Sequence, residues 1–257
     1  MIEPMNSVAD QIEVKNVSFE YTVDNGRVLA IKDINFSVQP SEFLCLLGPS
    51  GCGKTTILNI LTGLLRPTSG EIRIGDVALD DNRQNRGVVF QDFSQLFPWR
   101  TARHNVEFGL EMRGIDKVTR EKTALEFLRL VGLEKFIDVF PHQLSGGMQQ
   151  RVAIARSLAY NPQVLLMDEP FAALDAMTRD DMQLLLTDIW QKTRKTIVYI
   201  THNVAEAVFL GDKVIVLNAH PGTVKAELRL DLPRPRDPLS ESFVETQREI
   251  MRHLRSH

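Results

Sequence analysis

Few residues of this chain could cross-link it or anchor it in a membrane. Its only cysteines are Cys45 and Cys52, too few for a disulfide framework, and we expect both to be free thiols in a reducing compartment. No run approaches the roughly 18 consecutive apolar residues that span a bilayer, and residues 1–5 lack the basic-then-apolar order of a signal peptide. We therefore expect a cytosolic protein, and if it works at a membrane, we expect it to do so through a partner.

A strong net charge is also absent. The formal net charge is −3, whereas a nucleic-acid-binding domain is expected to be basic, so we predict no nucleic-acid partner. Hydrophobic residues make up 43% and charged residues 25% of the 257 residues, which is typical of a soluble globular protein with a sizeable core. The length fits one large domain or a core with a subdomain.

One short motif carries most of the chemical information. It fits the pattern G-x-x-x-x-G-K-[ST] without a mismatch and lies between a predicted buried strand and a predicted helix. Its glycines let backbone N–H groups turn inward around a phosphate, and the helix N-terminus favours the same anion. Lys54 is predicted to reach the β- and γ-phosphates, and the Thr55 hydroxyl to bind Mg²⁺. The predicted nucleotide-binding residues of this loop are Gly48, Pro49, Ser50, Gly51, Cys52, Gly53, Lys54, Thr55 and Thr56.

The position of Cys52 inside this loop makes a separate prediction. Its thiol lies beside Lys54 in the sequence and at the start of the predicted helix. Because a positive charge and a helix N-terminus both stabilise a thiolate, the sequence predicts that Cys52 is a reactive thiol.

The phosphate motif by itself is compatible with kinases, GTPases, helicases and transport ATPases, so a second motif is needed. Residues 164–167 are four apolar residues that predict a buried parallel strand, and Asp168 and Glu169 follow them. Because ligands bind at the carboxyl ends of such strands, we predict that Asp168 binds Mg²⁺ through a water. Glu169 is predicted to deprotonate the water that attacks the γ-phosphate. The alternative is a strand that ends in solvated acids.

The remaining sequence predicts alternating strands and helices, and hence a parallel sheet. An antiparallel β start precedes the phosphate loop, and apolar residues at helical spacing predict a helical insertion at 92–160. Strands are predicted at residues 12–19, 28–38, 43–47, 71–74, 87–90, 164–167, 196–200, 214–217 and 223–230. Further predictions are a turn at 24–26, the end of the first helix at 66–70, a helix at 175–190, an extended linker at 232–238 and an amphipathic helix at 239–254.

A second anion-binding motif narrows the class of protein. Ser145, Gly146 and Gly147 open a predicted helix at 148–158, and the N-terminus of that helix is another site for phosphate. One ATP does not need two such sites from one chain, so we predict that this one completes the ATP pocket of a second copy. A phosphoryl-transferring kinase shares only the phosphate loop and leaves this second motif unexplained.

With these motifs the chain resembles the ATP-binding cassette family, whose signature reads LSGGQ where this chain has LSGGM at residues 144–148. The Met148 departure is mild, because the serine and both glycines contact phosphate in the family. The resemblance covers residues 12 to about 230 and implies roles for four further residues. Tyr21 would stack on adenine unless it is a plain strand-end tyrosine, Gln91 would touch Mg²⁺, Asp175 would cross a dimer interface, and His202 would contact the γ-phosphate.

The resemblance implies an α/β fold, namely a P-loop NTPase (RecA-like) parallel-sheet core with an N-terminal antiparallel β subdomain and an inserted α-helical subdomain. Residues 1–257 would form a single nucleotide-binding domain. Its core would span about 12–91 and 161–230, its helical subdomain about 92–160, and its C-terminal tail about 231–257. The implied cofactors are ATP and Mg²⁺. The implied metal ligands are Thr55, Gln91 and Asp168, and the implied catalytic residues are Glu169, His202, Gln91 and Lys54.

An apolar segment at residues 93–100 predicts a protein partner. Seven consecutive residues of this segment contain two phenylalanines, a leucine and a tryptophan. An exposed apolar patch of this kind usually marks an interaction site. In the transporter members of the family, this segment receives a helix of the membrane permease. The alternative is that Phe93 and Phe97 pack the helical insertion.

The resemblance implies the ATP-hydrolysing subunit of a membrane importer. Two copies would sandwich two ATPs head to tail and drive a separate permease from the cytoplasmic face of a bacterial inner membrane, with a periplasmic or extracellular solute-binding protein as an indirect partner. Residues 93–100 and the tail at 232–236 resemble the nitrate, sulfonate and taurine importer branch. The alternatives are an importer of another small molecule, a soluble family ATPase of DNA repair or translation, and a regulatory module with an inactive site.

Overall fold

The protein is described here from a computed structural model, which covers residues 11–24, 26–78 and 86–255. These residues form two compact units. We call residues 86–194 the helical unit, and residues 11–24, 26–78 and 195–255 the sheet unit. Within the described ranges, no helix is long and apolar enough to cross a membrane.

The elements of the sheet unit come from both ends of the chain, and those of the helical unit lie between them in sequence. The N-terminal part contains β1 (Ile12–Val23), β2 (Gly26–Val38), β3 (Phe43–Leu47), α1 (Lys54–Leu61), β4 (Ser69–Ile74) and β5 (Val77–Ala78). The helical unit contains β6 (Arg86–Val89), α2 (Ala102–Met112), α3 (Lys117–Leu130), α4 (Gly146–Ala159), β7 (Val164–Asp168) and α5 (Ala176–Thr193). The C-terminal part of the sheet unit contains β8 (Thr196–Thr201), α6 (Val204–Leu210), β9 (Lys213–Asn218), β10 (Thr223–Arg229) and α7 (Glu241–Arg255).

An antiparallel sheet in the order β2-β1-β4-β5 opens the sheet unit. Ile12 at the start of β1 pairs with Val38 on one side and with Ile74 on the other. Alternate residues of β1 face inward, as expected for a strand with one buried face, and Ile12 and Val14 are both buried. The predicted antiparallel β start is confirmed.

Strand β3 lies at the centre of a parallel arrangement and determines where the phosphate motif lies. It pairs in parallel with β8 and with β9, and all five of its residues are buried. Such continuous burial is typical of a parallel strand covered on both faces. Leu47, its last residue, pairs with Thr201 of β8 and Val216 of β9. The phosphate motif therefore begins at the carboxyl end of a central strand, as predicted.

The helical unit packs three helices beside a parallel pair of strands. Strands β6 and β7 run parallel from the Arg86–Val164 pair to the Val89–Met167 pair, and α2, α3 and α4 contact one another. The buried core residues of these helices include Val106, Phe127, Leu128, Val152 and Ile154. The predicted helical insertion is confirmed, while the domain boundaries given above stay a prediction.

Local differences from the sequence-based prediction have simple causes. Helix α1 ends at Leu61 rather than at 66–70, because the Gly63 backbone is left-handed (φ 78°) and its N–H bonds to the Ile60 carbonyl. The short elements β5 and α6 were missed, since two and seven residues are too few for a clear periodicity. Within the turn predicted at 24–26, residue 25 lies outside the described residues.

Candidate nucleotide-binding site

The phosphate loop connects β3 to α1 in the sheet unit. Gly53 precedes α1 in a left-handed conformation with φ 88°, and a Cβ at this position would collide with the Ile31 side chain. A Cβ on Gly48 would lie 2.6 Å from the Cys52 sulfur and 3.0 Å from the Leu217 carbonyl oxygen. Both positions therefore require glycine. A side chain has no space at either position, and the left-handed backbone of Gly53 also favours glycine.

The Lys54 ammonium is held by the loop itself. Lys54 is buried, and its Nζ donates to the carbonyl oxygens of Gly48, at 2.8 Å, and Pro49, at 3.1 Å. The positive charge is thus placed among the backbone groups predicted to surround the phosphates. Thr55, the predicted Mg²⁺ ligand, is exposed at the start of α1.

Tyr21 lies against the start of α1. Its hydroxyl is 3.2 Å from the Thr56 hydroxyl, and its ring packs edge-on against Phe19 with centroids 4.8 Å apart. The side chain remains 40% exposed beside the start of α1. This placement suits adenine stacking, which stays a prediction.

The predicted reactivity of Cys52 is wrong. The residue is 0% exposed, and its sulfur lies 3.9 Å from the Lys54 Nζ. Burial raises the pKa of the Cys52 thiol, and this effect outweighs the opposing charge of Lys54. Burial also raises the pKa of Cys45 in β3. Both thiols are therefore protonated at neutral pH.

We expect slow alkylation of Cys52 by iodoacetamide in the native protein at pH 7, at least tenfold slower than in the urea-unfolded chain, because both the raised pKa and the burial suppress attack. Labelling of the native thiol should speed up only well above the pH at which the unfolded thiol reacts. Peptide mass spectrometry separates Cys52 from Cys45, which serves as a second buried thiol. Equal labelling of native and unfolded Cys52 would contradict the burial.

His202 follows β8 in the sheet unit. Its side chain is exposed, and the preceding residue, Thr201, pairs with Leu47 at the entrance of the phosphate loop. His202 therefore lies at the same carboxyl edge of the parallel strands as the loop. This position after the strand is the one that its predicted contact with the γ-phosphate requires, and the contact itself stays a prediction.

The structure also brings His220 against the phosphate loop, which the sequence did not indicate. Its ring Cε1 lies 3.6 Å from the place a Cβ on Gly51 would occupy, and its own backbone has φ 60°. A lone histidine in the β9–β10 hairpin carries no sequence signal, because only the fold places the hairpin beside the loop.

In the helical unit, Asp168 and Glu169 lie at the carboxyl end of β7. Asp168 is the last residue of the strand, and Glu169 follows with φ 41°, a left-handed conformation that is unusual for a glutamate. Holding such a residue costs about 1–3 kcal/mol and is common at functional sites. The Ala172 N–H donates to the Glu169 carbonyl oxygen at 3.1 Å, which holds this turn.

The Ser-Gly-Gly motif forms the N-terminus of α4. Ser145 is exposed, and its Oγ accepts a hydrogen bond from the Met148 N–H at 3.3 Å. A Cβ on Gly147 would lie only 2.7 Å from the Thr178 methyl group of α5, so the two helix N-termini approach closely. Exposed Ser145 thus precedes the first N–H groups of α4, the groups that an anion would bind.

Asp175 caps the neighbouring helix α5. Its carboxylate accepts from the Thr178 N–H at 3.0 Å and from the Thr178 hydroxyl at 2.7 Å. These hydrogen bonds hold the pKa of Asp175 below its ordinary value. Thr178 thus contacts both predicted interface residues, Gly147 and Asp175, and fixes one relative to the other.

Two glutamines that the sequence did not single out link the Gln91 segment to α4. The Gln95 side chain accepts from the Phe90 N–H at 3.1 Å and donates to the Phe90 carbonyl at 2.9 Å. Buried Gln150 of α4 donates to the same carbonyl at 3.1 Å and accepts from Gln95 at 3.3 Å. Exposed Gln91 therefore follows a residue that is anchored to the Ser-Gly-Gly helix.

The apolar segment at 93–100 is divided between packing and exposure. The Phe97 ring packs edge-on against Phe108 with centroids 4.5 Å apart, and the Arg156 guanidinium lies 5.8 Å from its centroid. Trp99, in contrast, is 71% exposed. The alternative given above, packing within the helical unit, is thus confirmed for Phe97. Trp99 is an exposed apolar side chain.

The predicted site residues therefore form two groups. The sheet unit brings together Tyr21, residues 48–56 and His202. The helical unit holds the other predicted residues, which are Gln91, Ser145, Gly146, Gly147, Asp168, Glu169 and Asp175.

Comparison with known proteins adds independent findings. A family model described as "ABC transporter" matches residues 31–172. The nitrate import ATP-binding protein NrtD of Synechocystis sp. is 45% identical over 93% of this chain and 89% of its own. The taurine import ATP-binding protein TauB of Roseobacter denitrificans is 44% identical over 94% and 88%. A dimeric ATP-binding cassette solved in a post-hydrolysis state with ADP and Pi is 38% identical, with a TM-score of 0.76 over 86% of this chain and 100% of that chain.

Proposed function

Because this chain belongs to the ABC transporter family, we propose that two copies of it hydrolyse ATP to drive a separate membrane permease that imports a small solute. The chain is an ATP-hydrolysing subunit of the family. The proposed cargo is of the nitrate, sulfonate or taurine kind, and the names of the relatives NrtD and TauB support it. The observation that carries the ATPase mechanism is the phosphate loop at the end of β3, with Lys54 held by the loop carbonyls.

The proposed hydrolysis step uses the predicted phosphate-binding and catalytic residues. The loop N–H groups and Lys54 bind the phosphates, and His202 contacts the γ-phosphate. A water attacks the γ-phosphorus, its proton passes to Glu169, and ADP and phosphate leave. The left-handed backbone of Glu169 supports this role, since such conformations cluster where a side chain must be aimed.

The donors proposed for Mg²⁺ suit that ion. They are the Thr55 hydroxyl, the Gln91 amide oxygen and the Asp168 carboxylate, which are all hard oxygen ligands, and Mg²⁺ takes its other ligands from water and phosphate. When bound, it would neutralise phosphate charge. Exposed Thr55 and Gln91 and half-buried Asp168 are accessible for this role.

The second copy is proposed to complete each ATP site. Ser145 is exposed at the N-terminus of α4, where Gly146 and Gly147 begin the helix, and Asp175 is linked to Gly147 through Thr178. The dimeric state of the similar cassette structure supports a homodimer. In this arrangement the α4 N-terminus of one copy faces the phosphates bound to the loop of the other.

Residues 93–100 are proposed to receive the permease at the cytoplasmic face of the membrane, with a solute-binding protein as an indirect partner. Exposed Trp99 supports this, because a large exposed aromatic ring is a typical anchor of an interface. An ATPase that is not coupled to transport remains the second candidate function, and permease-dependent turnover separates the two.

We expect Trp99→Ala to weaken permease binding by about 30-fold, because truncating an aromatic anchor removes much of an interface's binding energy. The test compares ATP turnover of the chain alone with turnover in vesicles that contain its co-purifying membrane subunit. Stimulation by the permease should be lost in the variant, while turnover of the chain alone stays unchanged.

Val118→Ala is the matched control, since Val118 is an equally exposed apolar side chain of α3, at 77%. It should keep full stimulation. Unchanged stimulation of Trp99→Ala would reject this docking surface. A wild-type chain that hydrolyses ATP without binding or responding to any membrane subunit would favour the uncoupled ATPase.

A further inference from the structure

The tail after β10 returns to the C-terminal end of α6. Arg236 is only 6% exposed, and its Nη1 donates to the carbonyl oxygens of Val208, of Phe209 at 3.3 Å and of Gly211 at 2.6 Å. The last carbonyls of a helix have no partner within the helix and carry partial negative charge. One buried guanidinium therefore caps most of the α6 C-terminus.

A second arginine of the tail completes this cap. Arg234 donates to the Leu210 carbonyl and to the Asp212 carboxylate. The other oxygen of Asp212 accepts from the Phe43 N–H at 2.9 Å, at the start of β3. Arg234 and Arg236 thus attach the end of α6 to the tail and, through Asp212, to the strand that leads to the phosphate loop.

Burial and the neighbouring Arg234 lower the pKa of Arg236 to about 10. The guanidinium therefore keeps its charge at neutral pH, where it complements the negative end of the helix. Helix α7 adds apolar packing to this attachment, because it contacts α6 and buries Phe243 and Ile250.

The opposite end of α6 carries His202. Asn203 caps the helix by accepting from the Ala205 N–H at 2.8 Å, and the Asn203 N–H donates to the Thr201 hydroxyl at 2.9 Å. Buried Glu206 accepts from that same hydroxyl at 2.6 Å. His202 lies between Thr201 and Asn203, so the position of α6 determines the position of the His202 backbone.

Helix α6 has seven residues and is about 10 Å long. A helix this short is not stable by itself and depends on its caps and its packing. Its C-terminal cap is therefore expected to influence the segment at its N-terminus.

We propose that Arg234 and Arg236 are positioning residues for ATP hydrolysis, which hold α6 by its C-terminus and so fix the segment 201–203 that carries His202. This inference rests on the proposed function. Neither arginine is proposed to touch the nucleotide, and each acts through α6.

The test replaces Arg236 by methionine, which keeps an unbranched apolar side chain and removes every donor. We expect kcat for ATP to fall about tenfold, the size of effect typical for a coupled network residue, with KM changed less than twofold. Hydrogen exchange should rise at residues 201–206 as well as at 208–212. Arg248→Met, on the exposed face of α7, is the matched control and should change neither measurement.

Unchanged kcat in folded Arg236→Met overturns the inference, and so does faster exchange confined to 208–212. If Arg236→Met does not fold, the same measurements on Arg234→Met decide in the same way, since Arg234 bonds one backbone carbonyl at this helix end and Arg236 bonds three. A wild-type dimer without ATP turnover would instead reject the proposed function, so the two failures are distinguishable.

Discussion

Glu169→Gln should lower ATP turnover by about 10²–10⁴-fold, the usual contribution of a general base. The amide preserves the shape of the side chain but cannot accept the proton of the attacking water. ATP binding should be retained, because the substitution leaves the phosphate loop intact, including Lys54 and the loop carbonyls of Gly48 and Pro49 that hold it. Phosphate release and equilibrium nucleotide binding are the two measurements.

The same substitution should favour the ATP-bound dimer. Removing one negative charge near the γ-phosphate lowers repulsion, and the unhydrolysed ATP keeps the two copies together. Light scattering should therefore show an ATP-dependent shift from monomer to dimer more clearly in the variant. Glu134→Gln, the same change at an exposed position of the helical unit, should behave as wild type. Wild-type turnover of Glu169→Gln would show that the assigned base is wrong.

Two inactive variants, Lys54→Ala and Ser145→Arg, should restore activity to each other when mixed. Every site in each pure homodimer carries a lesion, and loss of a phosphate-binding group lowers turnover by about 10²-fold or more. If Ser145 serves the ATP of the opposite copy, a mixed dimer has one site with both lesions and one site that is intact. Turnover and nucleotide trapping are measured as a function of the mixing ratio.

The matched control for this rescue mixes Lys54→Ala with the double variant Lys54→Ala/Ser145→Arg. Every site then lacks Lys54, so no ratio should restore turnover or trapping. Trapping is included because strict cooperativity between the two sites could suppress turnover in a dimer with one intact site. Absence of both signals in mixed dimers that are shown to form would count against a site shared between copies.

The chemistry of this protein could be predicted from the sequence because phosphate binding depends on residues that are close together in the chain. Residues 48–56 contain the glycines, the lysine and the helix start within nine consecutive positions. Residues 145–147 likewise combine a serine and two glycines with the start of α4. The positive φ of Gly53 and the cap made by Ser145 are local properties of such segments. The parallel core could also be predicted from the sequence, because the continuous apolar runs of β3 and β7 require burial on both faces.

Tertiary structure decided the properties that depend on residues distant in sequence. By its neighbours in the chain Cys52 should be a thiolate, yet packing buries its sulfur and desolvation raises its pKa. Phe97 and Trp99 are both aromatic residues of the same segment, and only the tertiary structure half-buries Phe97 against Phe108 and leaves Trp99 71% exposed. The attachment of Arg236 to α6 joins residues 25–28 positions apart through hydrogen bonds that local spacing does not determine. Burial and long-range partners are set by how the elements pack, which no local pattern specifies.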